Sequence, residues 1–447
     1  MWTRLGNLHV TVLDCDVVPP ASALNASFAP LLPVLASTPI ASRLLSGSVW
    51  NASSPLGGGR LLRYQAASCQ GGGGGAGAGC GPLEAECVAA LAEEVRQGGP
   101  WAVIYFPANF TASYLSWFAG SGISPPEQRP TGVYYYARGR DYSTYSYVNA
   151  IVLNSLVPAV SRSLTLGLAA NSAAMKLLSP VFLATGVALR EVDLAPVRNF
   201  GQHFATYIFC VLLWLGSSFV VATSYQFKLP AEVAILVPRV SKDKGKDEEE
   251  DGEARGQRTP REQMRQLAWA LWVKGAVAAV FMFIEMILLC AVLWALGKGS
   301  EAWYRNAGQT IAFGWYLSWS FIAVNGVLLH AMGPDRFSSA SALLLIVQLT
   351  SSSGIMSVDL SNRFFYIGKG LPFFYGVRGF RALFFGVMTD AMYQNWLVLT
   401  AYNVVLAPLG VWLVSRRIWK LSEQAAARPG GAAAYGSIAL PVAGGAV

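Results

Sequence analysis

The chain has 447 residues, of which 53% are hydrophobic and only 13% charged, and its formal net charge is +8. An ordinary soluble domain carries about 25% charged residues. This composition, with a mean hydropathy of +0.41, therefore excludes a typical cytosolic enzyme, a disordered tail protein and a disulfide-dense miniprotein. The basic residues are scattered and many flank apolar blocks, which fits orientation in a membrane better than a nucleic-acid surface.

Residues 1–203 read as an α/β domain. Leu8 to Asp14 alternates apolar with polar residues, as a half-buried strand does. Trp101 to Phe106 is a continuous apolar run stopped by Pro107, which predicts a central strand. Gly132 to Ala137 and Val187 to Val192 supply two more strands. Between them, Val148, Val152, Leu156 and Val160 stand four apart and predict a helix from about Thr144 to Leu178, kinked or divided at Pro158. A glycine-rich stretch inside 66–82 reads as a loop. No Gly-Lys-Ser/Thr follows it, so it is not a phosphate loop. No nucleotide motif occurs elsewhere; any ATPase would be a separate chain, and no cofactor is expected.

The second half is far more apolar. Phe204–Thr223, Gly275–Leu296, Thr310–Leu329, Ala340–Val358 and Trp396–Val414 are each about the length that crosses ~30 Å of hydrocarbon. The fourth is the weakest, because Gln348 and Ser351 to Gly354 interrupt it, and it also reads as a bundle-interior helix or a re-entrant segment. These blocks divide the chain into a span at 204–224, a charged linker at 225–268, a bundle at 269–415 and a tail at 416–447. The linker carries nine lysines and arginines, and the tail adds Arg416, Arg417 and Lys420. An excess of such residues marks the cytoplasmic side. With an odd number of spans, residues 1–203 then face outside or the lumen. Arg363, Lys369, Arg378 and Arg381 run against that assignment. The sequons at Asn25, Asn51 and Asn109 agree with it. So do four cysteines, Cys15, Cys69, Cys80 and Cys87, which allow three pairings. A bridge anchored near the glycine-rich loop is the favoured one.

Three stretches carry a family resemblance: Leu8 to Asp16, Trp101 to Thr111 (WAVIYFPANFT) and Phe364 to Gly386. Together they resemble the fungal nitrosoguanidine-resistance family, related to bacterial phage-infection-type proteins and to ABC-2-type permeases. The likeness spans about residues 8–415. It implies six membrane helices, a large outer domain between the first two, and export or transbilayer movement of a hydrophobic compound or lipid. Met1 to Leu5 leads straight into the first strand, so the family's first helix is expected to be missing through truncation. Implied partners are membrane lipids, with a homodimer as one open assembly; nucleic acid is not expected.

Glu285 lies near the middle of its span, where a charge is costly and usually functional. It reads either as a coupling carboxylate facing the bundle interior, with Gln348 and Asn325 as further substrate candidates, or as a structural glutamate bonded to Asn325, Gln348 or Asn403. Arg378 and Arg381, set among phenylalanines in 364–390, predict an amphipathic segment at the membrane interface or a lid on the bundle. His9, His203 and His330 are too scattered to predict a metal site. No nucleophile elbow is present, and Asp14 with Asp16 reads as a strand-end turn rather than a catalytic pair. The expectation is therefore a non-enzymatic α-helical transmembrane bundle, five spans seen, with an N-terminal α/β extracytoplasmic domain. The rival readings are a membrane scaffold or receptor, and an ion-coupled transporter using Glu285.

Overall fold

The structure is a computed structural model of the whole chain. It describes residues 8–16, 41, 62–67, 80, 83–113, 131–169, 188–198, 200–226, 260–296, 306–352, 354, 357 and 360–426. Two compact units divide it: residues 1–207 with 299–306 and 350–394, and residues 208–298 with 307–349 and 395–447. The boundaries therefore differ from the predicted ones, because the stretch 350–394 joins the N-terminal unit rather than the helical one.

The first unit is built on five strands: β1 (His9–Asp14), β2 (Arg63–Ala67), β3 (Ala102–Phe106), β4 (Thr131–Tyr136) and β5 (Ala188–Asp193). Their order is β2-β1-β3-β4-β5. β1 runs parallel to β2 and β3, β3 is antiparallel to β4, and β4 is parallel to β5. Register sets Val12 opposite Ile104, and Ile104 opposite Tyr134. All three are buried. The inner strands are covered on both faces, which is why Ala102 to Phe106 is an unbroken apolar run. β2 is an edge strand with Arg63, Gln65 and Ala66 exposed.

Helices cover this sheet. α1 (Glu84–Gln97) buries Val95 against Val103, Ala137, Ala195 and Val387. α2 (Tyr142–Ile151) starts at Asp141, whose carboxylate accepts the Thr144 N–H at 2.9 Å, an N-cap of the favoured type. A π-helical stretch, Val152–Leu156, joins it to α3 (Val157–Ala169). Residues 142–169 are thus helical without a break, and the π-helical stretch stands directly before Pro158, where the missing N–H and the ring disturb the ladder. The expected division is a local widening, and the predicted part beyond 169 lies outside the described residues.

The second unit holds most of four helices long and apolar enough to cross a membrane: α4 (Phe200–Gln226), α5 (Pro260–Leu296), α6 (Ala307–Met332) and the window Thr389–Arg417 at the C-terminus. Its fifth helix, α7 (Pro334–Ser351), is not among them. α7 covers the first part of the predicted span 340–358 and ends at Ser351, at the start of the polar stretch that weakens that span. The charged linker is also shorter than predicted, since α5 begins at Pro260 and uses that proline in its first turn.

α8 (Pro372–Phe385) opens on Pro372 and ends at Gly386, whose φ of 65° supplies the left-handed C-cap. It belongs to the first unit. Phe373, Val377, Phe380 and Phe384, at helical spacing, are all buried. The last helix, α9 (Met392–Ala426), carries Pro408 internally, as helices in lipid often do.

Candidate functional site

In the helical unit, α4 and α5 enclose a groove of about 430 Å³. Gly216, Phe219, Val220 and Thr223 line it from α4; Val277, Phe281, Ile284, Glu285 and Leu288 line it from α5. Phe219 is 71% exposed and Phe281 65%, so the groove opens sideways rather than into the unit's interior. Among its lining residues Glu285 carries the one ionisable side chain.

The carboxylate is seated by a glycine. A Cβ at position 216 would stand 2.0 Å from Glu285 Oε2 and 2.4 Å from Oε1. Gly216 leaves room for the carboxylate against the α4 backbone, and any Cβ there would make the Glu285 side chain move aside. Glu285 forms no hydrogen bond or ion pair with the described residues. Lys274, eleven residues earlier on α5, lies about 16 Å along the helix and donates to the Ser224 carbonyl at 2.8 Å.

The neighbouring position on α4 faces a different environment. Ser217 accepts from Asn325 Nδ2 at 3.1 Å, Asn325 Oδ1 accepts from Ser341 at 2.8 Å, and Ser341 meets Ser218 at 3.1 Å. Asn325 is fully buried and committed to this chain of bonds, which ties α4, α6 and α7 together. Gln348 is 1% exposed, and neither of its amide atoms has a hydrogen-bond partner. Neither Asn325 nor Gln348 lines the groove. The three candidates Glu285, Gln348 and Asn325 are thus not brought into one cleft.

The interface candidates separate as well. Arg378 is part-exposed and reaches Gln394 at 3.4 Å. Arg381 is only 4% exposed, which corrects its expected place among headgroups. Its guanidinium donates to the carbonyls of Arg140 and Gly354, each at 3.1 Å, and stands 3.8 Å from the Asp141 carboxylate. Burial raises the Asp141 pKa, and the Arg381 charge acts against that rise. Arg140 in turn donates to the carbonyls of Gly98, Gly99 and Pro100 and lies 4.0 Å over the Trp101 ring. An amphipathic pattern identifies an apolar face, not what covers it. Here the cover is the first unit's own interior.

Much of the Trp101 to Thr111 stretch is also structural. The Tyr145 hydroxyl donates to the Trp101 carbonyl. Asp16, fully buried, accepts both the N–H and the hydroxyl of Thr111. Asp14 accepts the Asp16 N–H at 3.3 Å, a local turn. Of the sequons, Asn109 is exposed, while Asn25 and Asn51 lie outside the described residues. Cys15 and Cys80 form a disulfide beside the glycine-rich stretch; Cys87 is also disulfide-bonded, and Cys69 lies outside the described residues. His203 is buried under Phe385 and accepts the Tyr142 N–H at 3.4 Å. Among the described residues no group of three or more His, Cys, Asp or Glu could hold a metal.

Sequence reasoning did not single out Gly216, Ser217, Ser218 or Ser341. The available signal was the Gly216-Ser217-Ser218 run inside an apolar span, since small residues there mark close helix approach.

These features define a multi-pass helical membrane protein carrying an N-terminal sheet unit. Residues 84–407 match the model of a family described as Protein of unknown function (DUF3533), and the chain belongs to that family. No curated protein and no solved structure matches it.

Proposed function

We propose that this protein moves a hydrophobic compound or lipid across a membrane, in the manner of the ABC-2-type permeases and the nitrosoguanidine-resistance family that its sequence resembles. The observation that carries the reading is the α4–α5 groove, an apolar trough open on its side with an acid at mid-helix. A lateral opening between exposed apolar side chains lets a membrane-dissolved compound enter without passing through water. A tightly packed scaffold has no need of such a trough.

The sheet unit faces the outside or a lumen. The Cys15–Cys80 disulfide supports this, because such bonds persist in oxidising compartments. The basic cluster Arg416, Arg417 and Lys420 at the end of α9 supports a cytoplasmic tail. With the sheet unit on the other side this arrangement takes an odd number of crossings, α7 being the fifth beside the four longer apolar helices. Movement down a concentration gradient needs no nucleotide, so the chain alone is expected to carry it.

The test is flux of a pyrene-labelled lipid in proteoliposomes containing the full chain. Movement several-fold faster than in protein-free vesicles supports the reading. Equal rates, with the protein folded, refute it and favour the scaffold.

A further inference from the structure

We infer that the α4–α5 groove selects cationic amphiphiles, compounds that carry an ammonium group on an apolar body; this rests on the transport reading above and narrows its substrate class. The charge in the groove is unbalanced. The groove offers Phe219, Val220, Val277, Phe281, Ile284 and Leu288 as apolar wall, and a single carboxylate at Glu285. Removing a carboxylate from water is costly unless a positive or hydrogen-donating group meets it. Within the described residues nothing does so.

The two local sources of compensation are already engaged. The amide of Asn325 is held by Ser217 and Ser341. The Lys274 ammonium is bonded to the Ser224 carbonyl, about three helical turns away along α5. A ligand ammonium placed in the groove would therefore supply the missing partner, while its apolar body fills the trough. An anionic ligand meets the carboxylate with like charge. A neutral alcohol of the same shape gains the apolar contacts alone. Phe219 and Phe281 add ring faces that favour a cation over a neutral group.

The acid's position is set by Gly216, which gives the hypothesis a second handle. Gly216→Ala puts a methyl where the carboxylate now lies and displaces it, without changing the charge of the groove.

The experiment uses the full chain in nanodiscs and three probes sharing one body: pyrenylbutylammonium, pyrenylbutanol and pyrenylbutyrate. Binding is read by tryptophan-to-pyrene energy transfer. The expected result is that the ammonium binds at least tenfold more tightly than the alcohol, and the butyrate more weakly still. Glu285→Gln and Gly216→Ala should each reduce the ammonium's advantage over the alcohol to under twofold. Glu285→Asp, which keeps the charge, should retain most of it and serves as the decisive comparison if Glu285→Gln does not fold. Equal binding of ammonium and alcohol, or an advantage that survives Glu285→Gln, overturns the selectivity. Flux separates the two ideas: if the labelled lipid crosses but the ammonium shows no preference, only the substrate class is wrong. If binding is selective but nothing crosses, the groove is a cation site on a protein that does not transport.

Discussion

The two units solve the problem of buried polarity in opposite ways. In the sheet unit, buried charged groups are enclosed by partners. Arg381 has two backbone carbonyls and a carboxylate near it, Arg140 has three carbonyls, and Asp16 has both donors of Thr111. In the helical unit, large apolar side chains such as Phe219, Trp272, Phe281 and Leu288 point outward, and the acid Glu285 has no protein partner within the described residues. The first pattern is what folding in water requires. The second is stable only if the surrounding solvent is itself apolar. One chain therefore has to be read with two sets of rules, and the same kind of observation carries different weight in each. A buried arginine in the sheet unit signals architecture; the unpartnered glutamate in the helical unit is the group on which the proposed selectivity rests.

The comparison is broken most severely at Arg381. Arg381→Ala leaves Asp141 buried without its cation and should destabilise the sheet unit by about 3–5 kcal/mol. Urea unfolding in nanodiscs reads the loss, and adding Asp141→Asn should recover part of it. No recovery would mean that the pair is not what holds α8 to the strand-β4 end of the sheet. Cys15→Ser removes the disulfide and should cost the same unit about 2–5 kcal/mol. A reductant should destabilise the wild type more than the variant, which keeps only the bridge at Cys87. At the other extreme, Val280→Ala on the outward face of α5 should change stability in nanodiscs by no more than about 0.5 kcal/mol. Lipid tails replace the lost methyl contacts there. A cost of several kcal/mol would show that this face packs on protein instead.

Legibility in the sequence followed the same divide. β1, β3, β4 and β5 were predicted within a residue or two; the inner strands β1, β3 and β4 announce themselves by apolar and aromatic runs, whereas β5 is an edge strand with Arg190 and Glu191 exposed. The edge strand β2 escaped, since Arg63 to Ala67 has the composition of a loop. α1 escaped too; it buries one fully enclosed residue, Val95, so its apolar stripe is thin. Four spans were readable from apolar length alone. In the fourth block the helix ends at Ser351, at the polar residues that weakened the reading. Glu285 was visible as an anomaly of charge in an apolar run, but its groove was not. That depends on Gly216, seventy residues away in sequence, and no periodicity within either helix encodes the meeting. Arg381 misled for the complementary reason: its aromatic neighbours suit a membrane interface as well as they suit a protein core.

The premise beneath all of this is that the helical unit is dissolved in lipid. The most direct measurement is alkaline carbonate extraction of membranes from cells making the full chain, followed by high-speed sedimentation. The account predicts that the intact protein stays in the pellet and is released only by detergent. Recovery of the intact chain in the carbonate supernatant would contradict it.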